Sequence, residues 1–287
     1  WDFISAALPR LLTGDNYRLQ TVCEQLRKFL DFTGRWDDRL SLIEQAETRA
    51  LAADDKENAG WRAYQAGHIY ILRNQPVQVL ACTARAAEYW QDSRPFNKAT
   101  AIRLRGHGDK LKQDYPAAIA AFREALEIYR SISPEGEDVA IVLNDLAGAE
   151  RSNKDYSAAE RDYREAIRIA KIIKDDEGTA IYTGNLAELA LDREQWAEAE
   201  SLAREALALA EKVGRQELIA SDCDRLAIAL VRAIRESPQP VPQRDTSLQE
   251  ALSLSRRAVE IYTRLRHPDL QSAQETLAEI EASLKDK

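Results

Sequence analysis

One pattern returns about every forty residues and limits what this chain can become. Trp36, Pro76, Tyr115, Tyr156 and Trp196 form a column at intervals of 40, 39, 41 and 40 residues. Ten residues after each stands an alanine: Ala46, Ala86, Ala125, Ala166 and Ala206. Nine residues before the last four stand Gly67, Gly106, Ala147 and Ala187. A period in this range belongs to stacked supersecondary units, each unable to bury its apolar face alone. A stack escapes the size limit of a single core, so 287 residues read as one elongated domain.

The spacing inside each unit is helical. Ile141, Val142, Leu146 and Ala149 recur at three- and four-residue steps, as do Ala159, Tyr163, Ala166, Ile167 and Ala170. Two antiparallel helices per unit follow. First helices are expected near 16–33, 56–73, 97–112, 137–153, 177–193 and 216–235, and second helices near 36–53, 76–91, 115–131, 156–174, 196–213 and 247–265. The small residues let backbones approach closely, and the aromatic opens the second helix, where it covers the joint.

The ends and one insertion break the period. Ala258 falls 52 residues after Ala206, so about twelve extra residues separate the helices of the sixth unit. The segment 237–247 opens Ser237, Pro238, Gln239, Pro240, Val241, Pro242, a pattern expected to stay extended, as a surface loop or a docking segment. Residues 267–287 read as a capping helix and tail. In residues 1–15, Trp1, Phe3, Ile4, Leu8, Leu11 and Leu12 form an apolar cap for the first repeat or a remnant facing an upstream domain.

The turn and first-helix residues resemble the tetratricopeptide repeat. Leu146-Ala147, Leu186-Ala187 and Leu226-Ala227 match its first helix; Asp155-Tyr156-Ser157-Ala158-Ala159 and Gln195-Trp196-Ala197-Glu198-Ala199 match its turn. The usual repeat has 34 residues, so the longer period is similar to the kinesin-light-chain subtype and to C-terminal arrays of bacterial STAND or NB-ARC signalling NTPases. The resemblance implies an all-α, right-handed solenoid of about six helix pairs spanning 16–266. The chain begins at Trp1 and contains no methionine, which fits a segment of a longer protein or a record from which modified methionines have dropped.

Composition narrows the function. A net charge of −8 disfavours nucleic acid as a partner. Cys23, Cys82 and Cys223 lie far apart without CxxC spacing, which points to a reducing, cytoplasmic setting and to no metal site. No run of 18 apolar residues offers a membrane span. The phosphate loop GxxxxGK[ST], HExxH and GxSxG are missing, so neither catalysis nor a cofactor is expected. Gly106-His107-Gly108 sits in a helical pattern with no preceding strand and is no phosphate cradle.

What remains is the inner surface. In the repeat family the first helix lines a concave groove, with exposed positions twelve, eleven, eight and five residues before the turn aromatic. Carried onto this sequence, these are Tyr64, Gln65, His68 and Ile71; Arg103, Leu104, His107 and Lys110; Asn144, Asp145, Gly148 and Arg151; and Gly184, Asn185, Glu188 and Leu191. Arg103, His107 and Lys110 share one helix face, with Arg151 expected beside them. Asn185 falls where kinesin-light-chain-like repeats bond a peptide backbone, and Asn144 lies one position away. Tyr64 and His68, with Trp61 one turn earlier, extend the groove with aromatic surface. A basic cluster is also what a solvated helix face looks like when 31% of residues are charged. In the third unit, Arg105 and Asp109 land on packing positions, so they pair with each other or the phase slips there by one.

The expected function is a non-catalytic scaffold that holds an extended or acidic peptide, with Arg103, Lys110 and Arg151 on carboxylates and Asn144 and Asn185 on the main chain. The alternative is a sensing or autoinhibitory arm of a larger signalling NTPase.

Overall fold

The computed structural model describes residues 15–236 and 240–285. The apolar segment at residues 1–14 and the first three residues of the proline-rich stretch lie outside the described residues. Among the described residues there are thirteen helices and no strand. They are α1 (Asn16–Phe32), α2 (Trp36–Ala52), α3 (Lys56–Leu72), α4 (Pro76–Tyr89), α5 (Pro95–Leu111), α6 (Tyr115–Ile132), α7 (Glu137–Ser152), α8 (Tyr156–Ile173), α9 (Asp176–Asp192), α10 (Trp196–Val213), α11 (Gln216–Glu236), α12 (Val241–Leu265) and α13 (Leu270–Lys285). They pack as antiparallel pairs in two compact units that divide between Pro134 and Glu135. The first unit holds α1 to α6. The second holds α7 to α12 and the closing helix α13, which packs on α11 and α12.

The forty-residue column sets the joints. Each of its five residues is the first of a second helix and is half-buried. Two positions earlier, Gly34, Asn74, Gln113, Lys154 and Glu194 all adopt positive φ, between 53° and 66°. The helix pair therefore turns on one left-handed residue each time, although four of the five carry a side chain that makes this conformation costly. Asp55, Asp114, Asp155 and Asp175 cap α3, α6, α8 and α9 by accepting from a backbone N–H three residues on, satisfying a donor left open at a helix start.

The alanine column is the floor of the packing. Ala46, Ala86, Ala125, Ala166 and Ala206 are completely buried, as is Ala258 in the sixth pair. Small residues facing them close the helices further. A Cβ on Gly67 would stand 2.7 Å from Leu104 Cδ2, so glycine is what lets α5 lay Leu104 against α3. On the outward side, ion pairs link successive second helices: Arg85 with Glu47 in the first unit, and Arg164 with Glu198, Lys171 with Glu205, and Arg204 with Glu250 in the second. Each exposed pair contributes at most about 1 kcal/mol. Much of the high charge content thus serves as struts.

Two expectations are corrected. Leu104, placed on the exposed face by counting, is fully buried. Ala101 and Leu104 occupy the packing role of Ala63 and Ala66, one residue out of step, and Arg105 is the additional residue that restores the register before the buried Gly106. Arg105 does not bond Asp109; it reaches Glu124 on α6 at 2.6 Å.

The second correction concerns the sixth pair, where α12 begins at Val241, six residues earlier than expected, and runs for 25 residues. Pro240 caps it with extended backbone, φ −53° and ψ 142°, and Pro242 sits in the first turn, where a missing N–H costs no helical bond. The insertion is taken up largely as helix.

Candidate functional site

Within the first unit, the face built by the first helices carries a cleft of about 770 Å³ between α1, α2 and α3. Its lining includes Trp61, Tyr64, Gln65 and His68 from α3, Glu24 and Arg27 from α1, and Arg39 from α2. The helices α3 and α5 pack directly. By contrast, α1 reaches α3 through long polar side chains: Gln65 Nε2 donates to Glu24 Oε2 at 3.0 Å, and Arg62 Nη1 lies 3.8 Å from the same oxygen. The space left between these arms is the cleft.

Aromatic rings form one wall. Trp61 meets Tyr64 edge-on at 5.6 Å and the fully buried Trp90 at 5.1 Å. The Tyr64 ring is 4.6 Å from His68, and His68 is 6.4 Å from His107 on α5, whose imidazole packs edge-on against Phe122. Tyr64, His68 and His107 thus share one face across α3 and α5, as counting anticipates. Trp61 belongs partly to the core, through Trp90. Arg103 and Lys110 are half-buried on α5.

The first-helix face of the second unit is differently built. Asn185 Nδ2 donates to Asn144 Oδ1 at 2.8 Å, joining α7 to α9. Arg151 is not held out for a ligand: it bonds Glu188 at 2.7 Å and lies 3.3 Å from Asp192. Glu188 also takes Arg225 of α11 at 2.9 Å, and Arg225 returns to Asp222 at 2.8 Å. Three successive first helices are laced by this chain of charges. Burial works against the Glu188 carboxylate, yet the Arg151 hydrogen bond and the two guanidinium charges win and hold it down at about 2. For Asp222 burial wins, pushing its carboxyl up to about 6 against the pull of Arg225. A Cβ on Gly184 would stand 2.6 Å from Asp222 Oδ1 and 2.8 Å from Arg225 Nη1, so that glycine makes room for the pair.

Sequence counting misses three arginines of the first-unit cleft, Arg27, Arg39 and Arg62. Arg39 lies on a second helix and Arg62 at a packing position, and both are buried. A surplus of arginine at positions whose phase calls for apolar side chains is the signal that marks them. Among the described residues, no group of three or more His, Cys, Asp or Glu side chains is arranged to hold a metal ion, and no helix is long and apolar enough to cross a membrane. Cys23, Cys82 and Cys223 are buried free thiols.

Helix pairs on a forty-residue period, turning on a left-handed residue and floored by alanine, define a tetratricopeptide-repeat array. The tetratricopeptide-repeat family model matches residues 98–172 and 138–212, and helix pairs of the same architecture continue on both sides of the matched segment. No curated protein sequence matches it. Solved structures share the fold at low identity. A Rap protein complexed with competence and sporulation factor is 11% identical, with a TM-score of 0.67 over 99% of this chain and 80% of that one. The STAND protein with a tetratricopeptide repeat sensor from Pyrococcus horikoshii is 12% identical, with a TM-score of 0.66 over 94% of this chain and 43% of that one. Kinesin light chain repeats from Podosopora anserina are 16% identical, with a TM-score of 0.54 over 71% of this chain and 94% of that one.

Proposed function

We propose that the chain is a non-catalytic scaffold that holds an extended peptide segment of a partner protein against its first helices. The observation that carries this reading is the first-unit cleft, whose aromatic wall contains Tyr64 and His68, two residues that counting along the repeat selects. Rigid aromatic surface beside convergent polar groups is the composition of a recognition pocket. His107, Arg103 and Lys110 continue that face on α5. In the second unit, Asn144 and Asn185 offer amide groups to a peptide main chain; one donor and one acceptor are engaged in their mutual bond, leaving the complementary pair. Arg151 orients Glu188 instead of meeting ligand carboxylates. The likeness in fold to a Rap protein complexed with competence and sporulation factor supports this reading. The test is selection of peptides from a displayed library, followed by titration of a selected peptide into variants. Tyr64→Ala is expected to weaken binding by about thirtyfold, the effect of removing a roughly 2 kcal/mol anchor, measured at a temperature where the variant is folded. Undiminished affinity in Tyr64→Ala, His68→Ala and the Asn144→Ala/Asn185→Ala pair would refute the assignment.

A second reading makes this array the sensing arm of a larger signalling NTPase, and the likeness to the STAND sensor favours it. This chain spans 43% of that protein's length, so the NTPase portion would be supplied by sequence outside residues 1–287. A coding sequence without a phosphate-loop motif adjoining these residues would eliminate this reading.

A further inference from the structure

One second helix lacks the bulk that the repeat elsewhere supplies. Seven and eleven residues after the column residue stand Ile43 and Glu47 on α2, Phe122 and Leu126 on α6, Tyr163 and Ile167 on α8, and Ala203 and Leu207 on α10. Phe122, Leu126 and Tyr163 are buried at these positions. The same count along α4 gives Thr83 and Ala87. These two small residues line a cavity of about 250 Å³ between α4 and α5. The helix is short as well: α4 has 14 residues where α2, α6, α8 and α10 have 17 or 18, so no further turn covers the cavity on that side.

The floor of the cavity is fixed and apolar. Trp90, Thr83 and Ala101 are buried in it, Ile102 is half-buried, and Ala87 is exposed at the mouth. Trp90 Nε1 donates to the Glu57 carbonyl at 3.2 Å, and its ring meets Trp61 edge-on at 5.1 Å. A Cβ on Gly60 would collide with that ring, so glycine is what seats the indole. The Thr83 hydroxyl donates to the Val79 carbonyl at 3.1 Å, within its own helix, and asks nothing of the cavity. A pre-formed wall of this kind loses little freedom when a ligand settles on it.

The mouth is positively charged. Lys98 and Arg105 line it, and no Asp or Glu does. Arg105 is answered by Glu124 at 2.6 Å, whereas Lys98 is exposed and enters no ion pair among the described residues. We propose that this cavity binds a small monocarboxylate carrying an aromatic ring or a short aliphatic chain. Its apolar part occupies the room left by Thr83 and Ala87, and its carboxylate meets Lys98. The size fits, because an apolar cavity of about 150 Å³ is enough to hold benzene. The site shares no lining residue with the cleft between α1, α2 and α3, so it stands apart from the peptide reading.

The experiment is a saturation-transfer NMR titration of the full chain with three probes: 3-phenylpropionate, its neutral amide, and acetate. Saturable binding of 3-phenylpropionate is expected, with the amide about threefold weaker and acetate not bound. Ala87→Leu supplies the side chain that Leu126 and Leu207 place at the same repeat position. It is expected to weaken 3-phenylpropionate at least about tenfold by filling the space, while the urea midpoint stays the same or rises. Lys98→Gln, on the exposed rim, is expected to abolish the preference for acid over amide with the fold unchanged. No saturable binding to the unaltered chain, or undiminished binding in Ala87→Leu, would overturn the site. So would a lower urea midpoint for Ala87→Leu, since it would show that the space is not there to be filled. Equal binding of acid and amide by the unaltered chain would overturn the carboxylate. A library-selected peptide that depends on Tyr64 is expected to bind Ala87→Leu unchanged, so the failure of either site leaves the other standing.

Discussion

Replacing Asp222 with asparagine is expected to stabilise this protein, and to do so more strongly as pH rises. Asp222 lies on α11 with its side chain 2% exposed, hydrogen-bonded to Arg225 at 2.8 Å. Burial pushes its carboxyl from the ordinary 3.8 to about 6, and Arg225 only partly offsets that. An acid with a raised pKa in the folded state binds its proton more tightly there than in the unfolded chain. Its favourable contribution is therefore complete below about pH 4 and is lost as pH rises through about 6. Above that point, holding the ionised carboxylate costs about 3 kcal/mol, because each tenfold change in proton affinity is worth about 1.36 kcal/mol. Asparagine has nearly the same shape and never ionises. Its advantage over aspartate should grow by about 2 kcal/mol between about pH 4.5 and about pH 8. Urea unfolding followed by circular dichroism across that range reads the difference directly. The neighbouring Asp224, which burial also raises to about 6, is present in both proteins, so the comparison isolates Asp222. A pH-independent difference, or a variant less stable by about 2 kcal/mol or more near pH 8, would show that the Arg225 bond outweighs burial and would refute the argument.

Three further outcomes follow from packing and backbone geometry. Gly67→Val places a Cβ against Leu104, at 2.7 Å from Cδ2, and should cost about 1–3 kcal/mol, seen as a lower urea midpoint. Lys154→Gly relieves a left-handed residue at φ 63° and should raise stability by about 0.5–1 kcal/mol in the same assay. Tyr129→Phe removes the hydroxyl that lies 2.9 Å from Thr100 Oγ1 in the buried first-unit core; a loss of about 1 kcal/mol is expected by thermal unfolding.

The amino-acid order by itself determined the helix pairs and the joints of the first five. Trp36, Tyr115, Tyr156 and Trp196 start helices where the repeat places them, and the alanines ten residues on are buried without exception. This information is local, because a helix phase is written every three or four residues and a cap or turn within four. The same phase brought Tyr64, His68 and His107 onto one face. It could not show that Arg105 breaks step, because a one-residue slip inside a continuous helix leaves the composition of the window unchanged. Nor could it place the start of α12, where prolines that suggest an extended loop are equally at home in a first helical turn. Charge pairing lay further out of reach. Arg151 reads as a ligand contact until α9 brings Glu188 and Asp192 across from it, and Arg39 and Arg62 attract no notice until α1, α2 and α3 leave a cleft that they line. A helix's own sequence settles which face a side chain occupies. Only the packed structure decides what stands opposite, and the energy of a charge depends on that opposing group and on the water it displaces.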